Sequence, residues 1–345
     1  MFFLDKKIFI LAFQIESKNT KTNWNIIMKK GKPSIYYFLA GMISTFTILI
    51  IIILLYLANN TTTAGNTTDQ DFPQGYKIIS PGIPGYLEFA GERIPTENFE
   101  VYERMDREFL ANTYWHSATI LAIKRANRWF PVIEPILKKN NIPDDFKYLS
   151  IAESNLENVI SPAGATGFWQ FMKPAGEKYG LEINQLIDER YNVEKSTEAA
   201  CKYLNDSYNM FGSWISAAAS YNMGQENTTE QRERQKATNY FNLVLNSETS
   251  RFVARIVSLK YILQTPEKYG FDVKEEDLYK PLEYYNVTLD RPVTDFADYA
   301  KSYSINYFTL KMYNPWLRDN YLTNRNKKAY TIKLPMEGSI EIIKD

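Results

Sequence analysis

The sequence predicts a mainly α-helical protein, and three observations predict it. From about residue 98 to 271, apolar residues recur at helical spacing rather than in alternation. The segments so marked are bounded by helix starters and stoppers: Pro143-Asp144-Asp145 at one start, and Gly212, Asn222-Gly224 and Pro266 at or near successive ends. Period-two alternation shows only after Tyr279.

Taken in order, residues 1–27 contain an apolar patch, Ile8–Phe13, too short to span a bilayer. Met28 opens Met-Lys-Lys-Gly-Lys-Pro-Ser, so translation is expected to begin there. Ile35–Ala58 is 24 residues without a charge, enough to cross the hydrocarbon core with some tilt. It exceeds the apolar region of a signal peptide, and no Cys follows it to carry a lipid, so a retained transmembrane helix is expected. Lys29, Lys30 and Lys32 precede the span, and Asn59–Tyr76 has no Lys or Arg, which places 1–34 in the cytoplasm and the chain after Ala58 outside. Residues 59–95 read as a Thr/Asn-rich spacer and an extended arm.

A helical domain is expected over 96–271. Phe99, Tyr102, Met105 and Phe109, then Ile120, Ile123, Trp129, Ile133 and Ile136, predict two or three helices before Asn141. Thr197-Glu198-Ala199-Ala200 opens another that carries Tyr203, Leu204 and Tyr208, with Gly212 as its C-cap. Trp214–Tyr221 is a helix rich in small residues, and Gln225–Lys236 a solvated loop or helix. Ser247-Glu248-Thr249 leads a long helix through Phe252, Ile256, Leu259 and Ile262. A charged linker, Asp272–Lys280, joins this domain to a small unit at 279–345. There, strands Glu283–Leu289 and Ala329–Leu334 flank short helices Thr294–Tyr303 and Asn306–Met312, a β-α-α-β pattern.

Composition removes several function classes. Forty basic and forty acidic residues cancel, so nothing points to a nucleic-acid partner held through phosphates. A single Cys (Cys201) excludes an internal disulfide framework and a Cys-based metal cluster. A single His (His116) excludes a His-rich zinc site, and a Ser-His or Cys-His nucleophile would need His116 itself. Chemistry then falls to carboxylates, hydroxyls and amides.

Among the carboxylates, Glu153 stands out. Phe146, Leu149 and Ala152 make an apolar face on the helix that starts at Pro143, and Glu153, four residues after Leu149, projects from that face. Desolvation and the negative helix end both push such a carboxyl toward its neutral form, as a general acid requires. Ser161, Pro162 and Gly164 then break the helix before an aromatic cluster, Gly167–Phe171, whose rings could flank a sugar. Equally, Glu153 could end an amphipathic helix without chemistry, Trp169 and Phe171 could be core, and Tyr221 could be a packed helix-end tyrosine.

The ordered set Glu153-Ser154, Ser161-Pro162-Ala163-Gly164-Ala165, Gly167-Phe168-Trp169-Gln170-Phe171 and Ser220-Tyr221-Asn222-Met223-Gly224 resembles the lytic transglycosylase domain of glycoside hydrolase family 23, in its membrane-bound D-type branch. Asp188-Glu189-Arg190, Ala199-Ala200 and Glu248-Thr249 agree, and the likeness covers about 98–271. Ser220 and Met223 depart from the family's usual alanines, and Phe168-Trp169 from the Leu-Met of soluble relatives. The resemblance implies a lysozyme-like, SLT-type catalytic domain on the outer side of a bacterial inner membrane. It makes Glu153 the single acid/base, Ser161, Trp169, Gln170, Tyr221 and Glu248 substrate contacts, and Ser154 and Asn222 supporting residues. The implied substrate is peptidoglycan, cut between N-acetylmuramic acid and N-acetylglucosamine to leave 1,6-anhydro ends, with no metal or cofactor. Residues 279–345 resemble a diverged LysM module in which Asp290-Arg291-Pro292-Val293 replaces the usual Gly-Asp-Thr-Leu turn, so both glycan binding and mere packing stay open. Two other readings remain beside the enzyme: goose-type lysozyme hydrolysis on the same fold, and an inactive peptidoglycan-binding scaffold. Intact Glu153, Ser161, Gln170 and Tyr221 weigh against the scaffold.

Overall fold

The structure, a computed structural model, describes residues 33–60, with side chains over 39–54, and residues 78–341. The expected start at Met28 and most of the Thr/Asn spacer lie outside the described residues. Two units are distinguished, Met1–Lys77 and Ile78–Asp345.

In the first unit, helix α1 (Pro33–Asn60) runs 28 residues without a charged side chain. Its described side chains are all exposed, and the hydroxyls of Thr45 and Thr47 donate to carbonyls of their own helix, Gly41 and Ile43, at 3.0 Å each. Among the described residues no helix is long and apolar enough to cross a membrane. The described side chains, 39–54, fall short of the roughly 20 apolar residues a span needs. The transmembrane helix expected at 35–58 is therefore not shown by the described residues.

The second unit is built on helices. The arm expected before the domain is part of it: strands β1 (Glu88–Phe89) and β2 (Glu92–Arg93) form a hairpin, and Leu87, Phe89 and Ile94 are buried in the main core. Helices α2 (Phe99–Tyr114) and α3 (His116–Lys139) follow, the first capped by Asn98, whose Oδ1 accepts from the Glu100 and Val101 amides. Pro131 and Pro135 sit inside α3 on exposed positions, where a lost helical hydrogen bond can be replaced by water. Helix α4 (Lys147–Ser154) is preceded by a 3-10 turn, Asp144–Phe146, and α5 (Lys173–Lys178) by the Gly-rich loop. Helix α6 (Val193–Phe211) begins earlier than expected because Asn192 caps it, its Oδ1 accepting from the Lys195 amide, and it ends at Gly212 with φ +67. Helices α7 (Trp214–Met223), α8 (Gln225–Gln235) and α9 (Thr249–Gln264) complete the body. Ala217, Ala218 and Ala219 of α7 are buried, as their small size allows close approach of neighbouring helices.

The C-terminal unit has the expected pattern. Strands β3 (Tyr284–Leu289) and β4 (Tyr330–Pro335) pair antiparallel, Tyr284 opposite Pro335, and enclose α10 (Phe296–Lys301) and α11 (Tyr307–Tyr313). Its core also takes Ile187 and Tyr191 from the helical body. The seam is backbone-bonded: the Asp188 amide donates to the Trp316 carbonyl (2.9 Å) and the Arg318 amide to that of Leu186 (2.8 Å), while the Arg318 guanidinium lies 4.0 Å from the centre of the Tyr191 ring. The charged linker is docked as well, with Arg128 Nε donating to the Lys280 carbonyl and its guanidinium over Tyr279.

The hairpin reaches α7 through one carboxylate. Glu92 accepts from Ser213 Oγ (2.7 Å) and from the amides of Trp214 and Ile215, which satisfies donors that a helix start otherwise leaves unpaired. Replacing Glu92→Ala should lower unfolding stability by about 1–2 kcal/mol in a denaturant titration, with the helical far-ultraviolet signal of the native state retained.

Candidate active site

Glu153 is the penultimate residue of α4, and both ends of that helix are tied down. At its start, Asp145 Oδ2 accepts from the Ala90 amide (2.6 Å) of the hairpin and from Lys260 Nζ (2.7 Å) of α9, so this acidic residue is a tie as well as a dipole partner. At its end, Asn155 (φ +53) and buried Leu156 (φ +56) both adopt the left-handed conformation. Asn155 tolerates it and is held by its amide to the Ile151 carbonyl and its side chain to the Ala118 carbonyl. For Leu156 the conformation is costly, and burial fixes it.

The Glu153 side chain is half-buried, and among the described residues its carboxyl makes no hydrogen bond or ion pair. Burial pushes it up to about 8; the Arg255 charge opposes that shift and the Glu248 charge reinforces it. A carboxyl that keeps its proton at neutral pH and leaves both oxygens unpaired can protonate a leaving oxygen.

Beside it runs the loop 159–171, folded on its own carbonyls. The Ser161 amide donates to the Ala165 carbonyl (2.8 Å), the Ala165 amide to Ser161 Oγ (3.0 Å), and the Gly167 amide to the Val159 carbonyl (2.9 Å). Gln170 (φ +46) donates through Nε2 to the Gly167 and Val159 carbonyls, leaving Oε1 unpaired among the described residues. Ser154 Oγ lies 2.9 Å from the Phe168 carbonyl and 3.1 Å from that of Ser150, so its proton ties α4 to the loop. From behind, Arg190 Nη1 donates to the Gly164 and Phe171 carbonyls, and Asp188 holds the guanidinium through Nε (3.0 Å) and Nη2 (2.8 Å). Gly167 (φ +81) presses on this strut: a Cβ there would stand 2.1 Å from the Arg190 carbonyl oxygen.

The aromatic cluster is not a sugar platform. Trp169, expected to touch substrate, is 0% exposed, and its Nε1 donates to Thr197 Oγ1 at 2.8 Å; Phe168 and Phe171 are buried too. Large apolar rings close to a helix-packed loop gain more from burial than from an open face. Tyr221, half-buried on α7, donates its hydroxyl to the Trp169 carbonyl (2.8 Å), and burial, then the Glu153 charge, hold its phenol well above its ordinary value. Asn222 bridges to α9, accepting from Thr249 Oγ1 (2.8 Å) and lying 3.4 Å from Glu248 Oε1. Glu248 is exposed. Thus Glu153, Tyr221, Asn222 and Glu248 meet on one side, Ser161 and Gln170 belong to the adjoining loop, and Trp169 lies behind them.

The roles of four residues escaped the sequence reading. Arg255, seven residues after Glu248 on α9, shares its helix face, a spacing that could have revealed it. Glu108 was not singled out, and Asp145 and Arg190 were read only as helix-start and motif residues, because the partners that give them their roles, Arg251 and Arg255, Ala90 and Lys260, and Gly164 and Phe171, are remote in sequence. His116 lies between Tyr114 and Phe271, tilted against the first ring and edge-on to the second. Among the described residues no group of three or more His, Cys, Asp or Glu is disposed to hold a metal ion.

Comparison with known proteins adds the following. Residues 130–244 match the transglycosylase SLT domain, and residues 285–338 match the soluble lytic transglycosylase C-terminal LysM-like domain. The chain is 29% identical over 232 residues to membrane-bound lytic murein transglycosylase D of Escherichia coli strain K12, and equally to that of strain O6:H1. The alignment covers 66% of this chain and 50% of the relative, so the chain spans about half the length of the curated relatives it matches. An inactive mutant of the lytic transglycosylase Slt from Pseudomonas aeruginosa aligns at 16% identity with a TM-score of 0.33, over 54% of this chain and 36% of that one.

Two outcomes follow from the geometry. Gly167→Ala should destabilise the fold by about 2 kcal/mol or more in thermal denaturation, since neither the φ nor the Arg190 backbone can yield cheaply. Glu153, raised when folded, costs stability as pH climbs from the ordinary Glu range toward about 8. Glu153→Gln should therefore melt with wild type at pH 4 and above it at pH 8, by on the order of 2 kcal/mol.

Proposed function

We propose that this chain, which carries a transglycosylase SLT domain and a LysM-like C-terminal domain, is a lytic transglycosylase of peptidoglycan anchored by its N-terminal helix. The observation that carries the reading is Glu153: a half-buried carboxyl, unpaired among the described residues, that keeps its proton near neutral pH. Neutral Glu153 protonates the glycosidic oxygen between N-acetylmuramic acid and N-acetylglucosamine as positive charge grows at the muramic C1. The resulting carboxylate then takes the proton of the C6 hydroxyl, whose oxygen closes on C1 and leaves the 1,6-anhydro end. One carboxyl serves both proton transfers, unlike the pair used by most glycosidases. Glu248 supports it from a distance, since its negative charge favours the neutral form of Glu153. Tyr221 cannot donate to Glu153 while its proton is given to the Trp169 carbonyl, so we assign it to shaping the wall around the acid, with Ser161 and Gln170 as the substrate-facing polar groups.

Anchoring rests on α1: its backbone is helical over 28 uncharged residues, behind Lys29, Lys30 and Lys32. That pattern supports a single span in a bacterial inner membrane with the catalytic unit outside.

Digestion of purified peptidoglycan by the full chain tests the reading. Muropeptides one water lighter than hydrolytic products should appear by mass spectrometry and vanish with Glu153→Gln; reducing ends instead would assign lysozyme hydrolysis. On the alkaline side, kcat/KM should fall with an apparent pKa near 8, where the acid loses its proton; a flat profile to pH 10 would remove Glu153 as the acid.

A further inference from the structure

Helices α2 and α9 bring together three arginines that proton transfer does not call for, one of which, Arg255, acts on Glu153. Arg251 and Arg255 follow Glu248 by three and seven residues and share its face of α9; Arg107 joins them from α2. Their guanidiniums converge on Glu108, which is 3% exposed. Arg107 Nη1 lies 2.8 Å and Arg251 Nη1 3.2 Å from Oε1, and Arg255 Nε lies 3.6 Å from Oε2. Arg251 is fixed further by donating from Nε to the Ser247 carbonyl at 2.7 Å. All three keep solvent-facing surface, from 24% for the Arg251 side chain to 56% for Arg107. One buried carboxylate against three guanidiniums leaves the cluster positive, and exposed Glu248, on the same helix face, offsets only part of that charge.

That surplus opposes the acid. Arg255 favours the ionised form of Glu153, whereas burial and Glu248 favour the neutral one. A fixed cation beside a general acid is a liability unless something neutralises it during turnover. An anion carried by the substrate would do so, and would in the same act strengthen the hold of Glu153 on its proton. Guanidiniums with free donors, already oriented by a buried carboxylate, suit a carboxylate partner better than a neutral sugar.

We propose that Arg107, Arg251 and Arg255, oriented by Glu108, form a subsite for a carboxylate on the muramic side arm of the substrate. The proposal rests on the transglycosylase reading above. Peptide-bearing strands carry that carboxylate on the peptide, and strands stripped of peptide carry one on the lactyl ether; the chemistry is the same.

Binding to the full chain bearing Glu153→Gln reads the subsite without turnover. Glycan strands with free carboxylates should bind about tenfold tighter than the same strands after conversion of every carboxylate to its amide. Adding Arg251→Gln should erase most of that difference, and Arg251→Lys should keep part of it. Stripped strands that retain the preference assign the subsite to the lactyl carboxylate; stripped strands that lose it assign the subsite to the peptide. Equal affinity for free and amidated strands overturns the proposal, and this comparison needs no arginine variant to fold. Turnover of the same strands by wild type tests the transglycosylase reading separately, since a chain that cuts nothing can still show or lack the charge preference.

Discussion

The Arg190 guanidinium is the strut on which the site depends. It receives no charge from the loop it supports; it donates to two of its carbonyls, Gly164 and Phe171, while Asp188 holds it from the other side. Charge-assisted donors of this kind order the backbone of a loop whose rings, Phe168, Trp169 and Phe171, are buried in the core. Gly167 lets the two backbones touch, so the loop cannot drift from the strut. Through Ser154 and the Phe168 carbonyl, the same loop holds the helix end that presents Glu153.

The segment carrying that strut also carries the C-terminal unit. Leu186 and Asp188 are bonded to Arg318 and Trp316, Ile187 and Tyr191 enter the small unit's core, and Glu182 and Glu194 meet Lys328 and Lys333. The LysM-like unit is thus fastened to the backbone that braces the loop 159–171. This is tighter than a tethered module would need, and it gives the unit a structural task.

Electrostatically, the site is a balance rather than a simple apolar pocket. Desolvation keeps Glu153 neutral, Glu248 helps, and Arg255 pulls the other way from a cluster anchored on buried Glu108. A carboxyl on which charges of opposite sign act in this way responds to any further charge brought near it, which it would not do in a purely hydrophobic wall.

The sequence by itself determined the local half of this protein. Helical spacing, the Gly212 cap and the alternation after Tyr279 were readable because hydrogen bonding and burial repeat along the chain with a fixed period. Glu153 was readable for the same reason: its place after Leu149 on an apolar face already implies desolvation. What the tertiary structure alone decided is which surface each loop side chain meets. Trp169 read as either a substrate contact or core, and its burial against Thr197, on a helix 28 residues away, puts it in the core. The end of the stretch 59–95 read as an extended arm and proved to place Leu87, Phe89 and Ile94 in the core, and Asp145 read as a dipole charge and proved to bind Lys260. Partners distant in sequence leave no period behind them, so burial against them and the charges they supply exist only once the chain has closed.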